Sequence, residues 1–158
     1  MTTSIGITEQ NRQAVATALS ILLADEFVLY TKTRNAHWNV EGPDFHDKHI
    51  FFEGQYQQLD EIVDSVAERI RTLGHYAPGT LSSFLKLTHL TEQTDQANTS
   101  QGFVKDLLEA HESLIIFIRK NIDDFNDKYN DAGSSDFITG LIKEHEKMAW
   151  MLRASLNK

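Results

Sequence analysis

Apolar residues along the first third of the chain return every three or four positions. Val15, Leu19 and Leu22 share one face with Glu26, Tyr30, Thr33 and His37. That spacing matches a helix of about 3.6 residues per turn, so the segment predicts one long helix with a buried stripe. Thr8 is a suitable N-cap, and Glu9 places a negative charge in the first turn. Nothing interrupts the pattern before about Asn39, so His37 stands at the helix end.

A second stripe follows, made of Phe45, His49, Phe52, Tyr56, Leu59, Val63, Val66 and Ile70. Glu41, Gly42, Pro43 and Asp44 form the turn between the two helices. Gly42 is expected to end the first and Pro43 to sit just inside the second. The second helix is expected to run to about Leu73 and to stop at Gly74. Residues 75–98 lose the period and contain Pro78 and Gly79, with a short apolar piece from Leu81 to Leu87. They read as a long crossover carrying one short helix.

Gly102 and Phe103 open a third long helix, whose stripe is Phe103, Leu107, Ala110, Leu114, Phe117, Asn121 and Phe125. Residues 123–133 are polar and acidic. Ser134 or Ser135 is then expected to cap a fourth helix with Phe137, Leu141, His145, Met148 and Leu152 inward. Two helices, a long crossover and two more helices predict an all-α four-helix bundle with one long connection. The chain of 158 residues is read as a single domain, 1–158, with 1–7 a short tail.

Charge and composition narrow the function. Lys plus Arg is 15 and Asp plus Glu is 23, for a net charge of −8. That balance disfavours a broad basic face for nucleic acid and suits attraction of cations. With no cysteine there is no disulfide, zinc–thiolate site or iron–sulfur cluster. No apolar run approaches the roughly 18 residues of a membrane span, and the first ten residues do not read as a secretory signal.

Beside the second stripe runs a row of ionisable groups: His49, Glu53, Asp60, Asp64 and Glu68. His49 and Glu53 are four apart, as are Asp64 and Glu68, so each pair shares a helix face. His49 and Asp64 nevertheless lie roughly 22 Å apart along one helix, at about 1.5 Å per residue. Metal–ligand bonds are only about 2 Å long. The two pairs can hold one ion only if two copies of the helix pack antiparallel about a two-fold axis near Tyr56 and Gln57. Such an interface would create two equivalent sites. Asp60 and Glu61 read as surface charge, His46 as exposed, and His145 as a core histidine with a hydrogen-bond partner. His75, His89 and His111 carry no signal.

Asn35, Ala36, His37, Trp38, Asn39, Val40 and Gly42 form a long motif, followed by His49, Phe52 and Glu53, then Asp64, Ala67, Glu68 and Arg69. With Asp136, the run His145 to Lys147 and the run Ala149 to Leu152, this sequence closely resembles the Dps family, the mini-ferritins or DNA-protection proteins of starved cells. The resemblance covers nearly the whole chain. It implies a ferritin-like four-helix bundle assembled from two-fold dimers into a hollow dodecamer. It also implies ferroxidase activity: oxidation of Fe(II), preferably by hydrogen peroxide and otherwise by oxygen, with storage of Fe(III) mineral. The expected setting is the cytoplasm, including the nucleoid, which such a protein would protect from oxidative damage.

By the same resemblance His37, His49 and Glu53 form one subunit's share of an intersubunit iron centre, and Asp64 and Glu68 form the other. The centre has room for two irons, and zinc can occupy the same ligands. Family members often carry aspartate where this chain has Glu53. Trp38 matches the tryptophan that intercepts radical equivalents. Asp127, Asp131 and Asp136 are the candidates for an acidic pore. No Glu-x-x-His sequence occurs, which argues against a di-iron site inside one bundle. Two alternatives stand beside this reading: a DNA-binding nucleoid protein, and a shell protein without iron chemistry. Residues 1–11 hold no basic residue and the last ten add only Arg153 and Lys158, so direct DNA binding is not expected.

Overall fold

Thr8 caps the first helix, its hydroxyl accepting the Asn11 amide at 3.3 Å. From there α1 runs Glu9–Asn39, and α2 follows as Phe45–Thr72. The short α3 is Leu81–Leu87, α4 is Ser100–Asp123 and α5 is Ala132–Ala154. These come from a computed structural model that describes residues 3–92 and 97–156; no strand occurs among the described residues. Part of the polar run in the expected crossover, residues 93–96, and the terminal Lys158 lie outside the described residues.

The architecture is the expected all-α bundle. α1 pairs antiparallel with α2, and α4 pairs antiparallel with α5. The connection between these two hairpins carries α3 along the bundle. It is pinned at its far end where the Glu41 amide donates to the Asn98 carbonyl at 2.8 Å. Inward stripes of all four long helices meet in one core that includes Leu19, Phe52, Leu59, Phe103, Leu114 and Leu152. Removing a side chain of that size from such a core costs about 2–5 kcal/mol. Phe117 and Phe137 lie half-buried at the edge of the core.

α1 reaches a mean hydropathy of 1.5 over 18 residues, a window of which 56% is buried inside the bundle. It is thus more apolar overall than its unbroken apolar runs imply. The reason is that its polar positions Asp25 and Glu26 are set among buried alanine, leucine and valine, as suits a central core helix.

Three boundaries differ from those expected, each for a local reason. α2 begins at Phe45, not at Pro43, which lies in the turn before Asp44. α4 begins at Ser100 because the Thr99 hydroxyl accepts the Gly102 amide at 3.2 Å. α5 begins at Ala132, ahead of Ser134 and Ser135, because Asp131 caps it through the Ser134 amide at 2.8 Å. A carboxylate competes well for that position and also suits the positive end of the helix.

The expected stop at Gly74 is made by two bonds. The Gly74 amide donates to the Arg71 carbonyl at 3.0 Å and the His75 amide to the Ile70 carbonyl at 3.3 Å. This is the Schellman ending, which needs a left-handed residue after the helix, and Gly74 has φ 87°. The acidic stretch after α4 is no simple turn. Asp124–Lys128 continues the helix as a π-helical turn, which brings Phe125 into the core.

Candidate metal centre

His37 is placed by the last turn of α1 and His49 by the first turns of α2, so the short turn between the helices brings them face to face. Their rings stack with centroids 3.8 Å apart and planes 22° from parallel. His37 Nδ1 lies 2.8 Å from the His49 carbonyl oxygen, and His49 Nδ1 lies 2.8 Å from the His37 carbonyl oxygen. A carbonyl can only accept, so each Nδ1 carries a proton and donates it. In each neutral ring the lone pair is thereby left on Nε2. Backbone bonds of this kind are how proteins fix the tautomer and direction of metal-ligating imidazoles.

Tyr56, one turn beyond Glu53, packs edge-on against His37 with ring centroids 5.1 Å apart. The Arg34 guanidinium lies 4.4 Å from the Tyr56 ring centre and 5.0 Å from that of Trp38. Tyr56 and Arg34 are therefore neighbours of the site that sequence reasoning missed. Tyr56 was legible only as part of the apolar stripe and as the midpoint of α2, and Arg34 only as a charge on a helix. Trp38 is 61% exposed, beside His37 but on the outer side.

The carboxylates are distributed differently. Glu53 is half-buried on α2, while Asp64 and Glu68 are exposed farther along the same helix. None of the three makes a hydrogen bond or ion pair among the described residues, although neighbouring Arg69 does. No group of three or more His, Asp or Glu converges on one point among the described residues. One chain thus gathers the two imidazoles but does not bring Asp64 and Glu68 to them, as the length of a single helix requires.

Of the three aspartates considered for a pore, Asp127 and Asp136 are exposed, and Asp127 accepts from the Asn126 amide at 2.7 Å. Asp131 is 2% exposed. Its Oδ1 receives the Ser134 amide and the Arg69 guanidinium at 3.1 Å, and its Oδ2 receives the Ser134 hydroxyl at 2.5 Å. Asp131 is occupied as a cap and ion-pair partner. His46 is exposed, as expected. His145 is fully buried and bonded to Glu26 Oε1 at 2.7 Å, the expected satisfied core histidine. His111, which carried no sequence signal, is its buried neighbour.

The helical architecture agrees with comparison to known proteins. A ferritin-like domain model matches residues 16–158, which sets the class: a ferritin-like four-helix protein. A low temperature-induced protein of Nostoc sp. is 42% identical over 96% of this chain and 84% of its own length. DNA protection during starvation protein 2 of Bacillus anthracis is 33% identical over 94% of this chain and 99% of its own. The solved Dps protein of Vibrio cholerae, described as one of the ferritin-like diiron-carboxylate proteins, superposes with a TM-score of 0.90. It is 33% identical, over 98% of this chain and 96% of that one. The chain belongs to the Dps family of ferritin-like proteins.

Proposed function

We propose that this protein oxidises Fe(II) and stores the product, at centres completed between two-fold-related subunits of a hollow dodecamer. The observation that carries the reading is the reciprocal bonding of His37 and His49, which leaves two Nε2 lone pairs for a metal. Borderline Fe(II) accepts imidazole and carboxylate together. Glu53 adds an anionic ligand on the same side of α2 as His49, one turn on. Asp64 and Glu68, exposed on α2, would come from a second copy whose α2 packs antiparallel.

Iron is the substrate, and each residue acts on it in a definable way. The two imidazoles bind Fe(II) without adding charge. The carboxylates favour Fe(III) over Fe(II), which promotes oxidation. A sparse ligand set leaves positions for hydrogen peroxide or oxygen. Peroxide accepts two electrons, one from each of two irons, and its O–O bond breaks to give two hydroxide ions with no hydroxyl radical. Trp38 stands next to His37 and is exposed, placed to absorb a stray oxidising equivalent. Asp127 and Asp136 would draw Fe(II) inward through a focused negative potential. The same reading places the protein in the cytoplasm, protecting it from oxidative damage.

The test is an anaerobic Fe(II) titration followed by peroxide, with His37→Ala plus His49→Ala beside the wild type. Loss of the tight ferrous sites and of fast oxidation is expected in the double variant. Equal oxidation by both proteins overturns the assignment. Analytical ultracentrifugation accompanies it, because a monomer that still binds Fe(II) tightly would remove the shared centre.

A further inference from the structure

Deep in the bundle, away from His37 and His49, three fully buried ionisable side chains join the two helical hairpins. Glu26 comes from α1, His145 from α5 and His111 from α4. His145 Nε2 lies 2.7 Å from Glu26 Oε1, and the two Nδ1 atoms of His145 and His111 lie 3.0 Å apart. At the two ends of this chain, Glu26 Oε2 and His111 Nε2 are buried without a partner among the described residues.

We propose that Glu26, His145 and His111 form a proton-operated latch between the α1–α2 hairpin and the α4–α5 hairpin, closed near neutral pH and released by acid. Bonding geometry sets the sign. His145 Nε2–H donates to the Glu26 carboxylate. The two facing Nδ1 atoms hold a single proton, one nitrogen donating and the other accepting. A proton added to His111 would leave an N–H on both of its ring nitrogens. Nε2–H would be buried with no acceptor, and the new positive charge would be buried with no carboxylate bonded to it.

Among the described residues, no other buried charge is placed to absorb that proton. On α1 the remaining buried ionisable groups are engaged elsewhere. Arg12 bonds the Leu73 carbonyl, Asp25 receives Thr88 and His89, and His37 bonds His49. On α2 the buried residues Phe52, Gln55, Leu59, Ile62, Val66 and Ile70 include none that titrates. On α4 Asp106 is paired with Lys32, and on α5 His145 is the one buried ionisable side chain. α3 and the π-helical turn bury only Phe84 and Phe125. Accordingly His111 is held well below its ordinary pKa, first by burial and then by the charge of His145.

Linkage fixes the direction. The unfolded chain takes up a proton at His111 as pH falls past about 6.5, whereas the closed bundle refuses it. The part of the stability linked to His111 is therefore lost on the acid side of that value and is fully present above it. One refused proton per chain changes the folding constant by up to about tenfold per pH unit.

The test uses the full chain at equal subunit concentration. Urea unfolding is followed from pH 7.5 to 5.0 for the wild type and for His111→Asn, which retains a hydrogen-bonding group but does not titrate. The wild type should lose about tenfold more of its folding constant per unit below pH 6.5 than the variant. Parallel profiles overturn the latch. Hydrogen exchange of the wild type, corrected for intrinsic rates, supplies the independent reading should the variant not fold. Selective loss of protection around residues 26, 111 and 145 between pH 6.5 and 5.0 supports the proposal. Uniform loss, or none, overturns it.

Discussion

His37 and His49 hold each other through their backbones: each ring donates Nδ1–H to the other residue's carbonyl, both at 2.8 Å. Neither ring can turn without stranding both a donor and an acceptor. The end of α1 and the start of α2 thereby become one rigid support for the two rings and their Nε2 atoms. Replacing His49 by Phe preserves a stacked ring but removes both donor and ligand. Ferrous affinity should fall at least about tenfold, the lower bound seen when even a supporting bond to a metal ligand is lost. Anaerobic calorimetry of Fe(II) binding reads this, and unchanged affinity would remove His49 from the site.

Asp131 ties α5 to α2 through Arg69 while capping α5. Asp131→Ala should cost about 2–4 kcal/mol, from the lost cap and the broken, largely buried pair. Asp131→Asn keeps an acceptor for the Ser134 amide and should cost less. Urea midpoints at a fixed subunit concentration would rank the two variants. Equal losses would mean that charge, not capping, dominates there.

Gly74→Ala faces two obstacles at once. The backbone has φ 87°, and an added β-carbon would overlap the Thr3 hydroxyl and come within 2.9 Å of Arg12 Nη1. A loss of about 1–3 kcal/mol is expected from backbone strain alone. The melting temperature should drop while iron binding per folded subunit is unchanged.

Asp127→Asn with Asp136→Asn should slow iron uptake at low Fe(II) and leave it unaltered when Fe(II) is saturating. A concentrating potential matters only when arrival is limiting. Stopped-flow uptake across a range of Fe(II) concentrations distinguishes this from a defect in oxidation, which would persist at saturation.

With a net charge of −8 per subunit, duplex DNA should not be retained at neutral pH and moderate salt. A gel-shift titration in salt decides it. Salt-sensitive retardation at that pH would restore the nucleic-acid reading.

Much of the fold was legible because the inward stripes are unbroken. Val15 to His37 and Phe52 to Ile70 keep one period over many turns, and glycine or proline lies near their ends. Phe45, expected at the start of the second stripe, is instead exposed because the helix begins there, and Gln55 and Ile62 join the buried face. Boundaries were read less well where capping was at stake. Thr99 and Asp131 outcompeted Gly102 and the two serines, and an N-cap is chosen by which side chain reaches a free amide in three dimensions. The π-helical turn had no linear signal at all: Phe125 lies on a stripe that an ordinary helix would also display.

By itself the sequence determined the helical order and the long crossover, and it set out His37, His49, Glu53, Asp64 and Glu68 as candidate ligands. Side-chain period and the rise of a helix are local properties, and fifteen positions along one rod are too far for one ion. Tertiary structure alone decided that His37 and His49 lock each other's tautomers and that Asp131 is consumed by capping. It alone also set His111 against His145 and Glu26. Those outcomes depend on which atoms meet between helices distant in sequence, and only packing brings such atoms within the reach of a hydrogen bond.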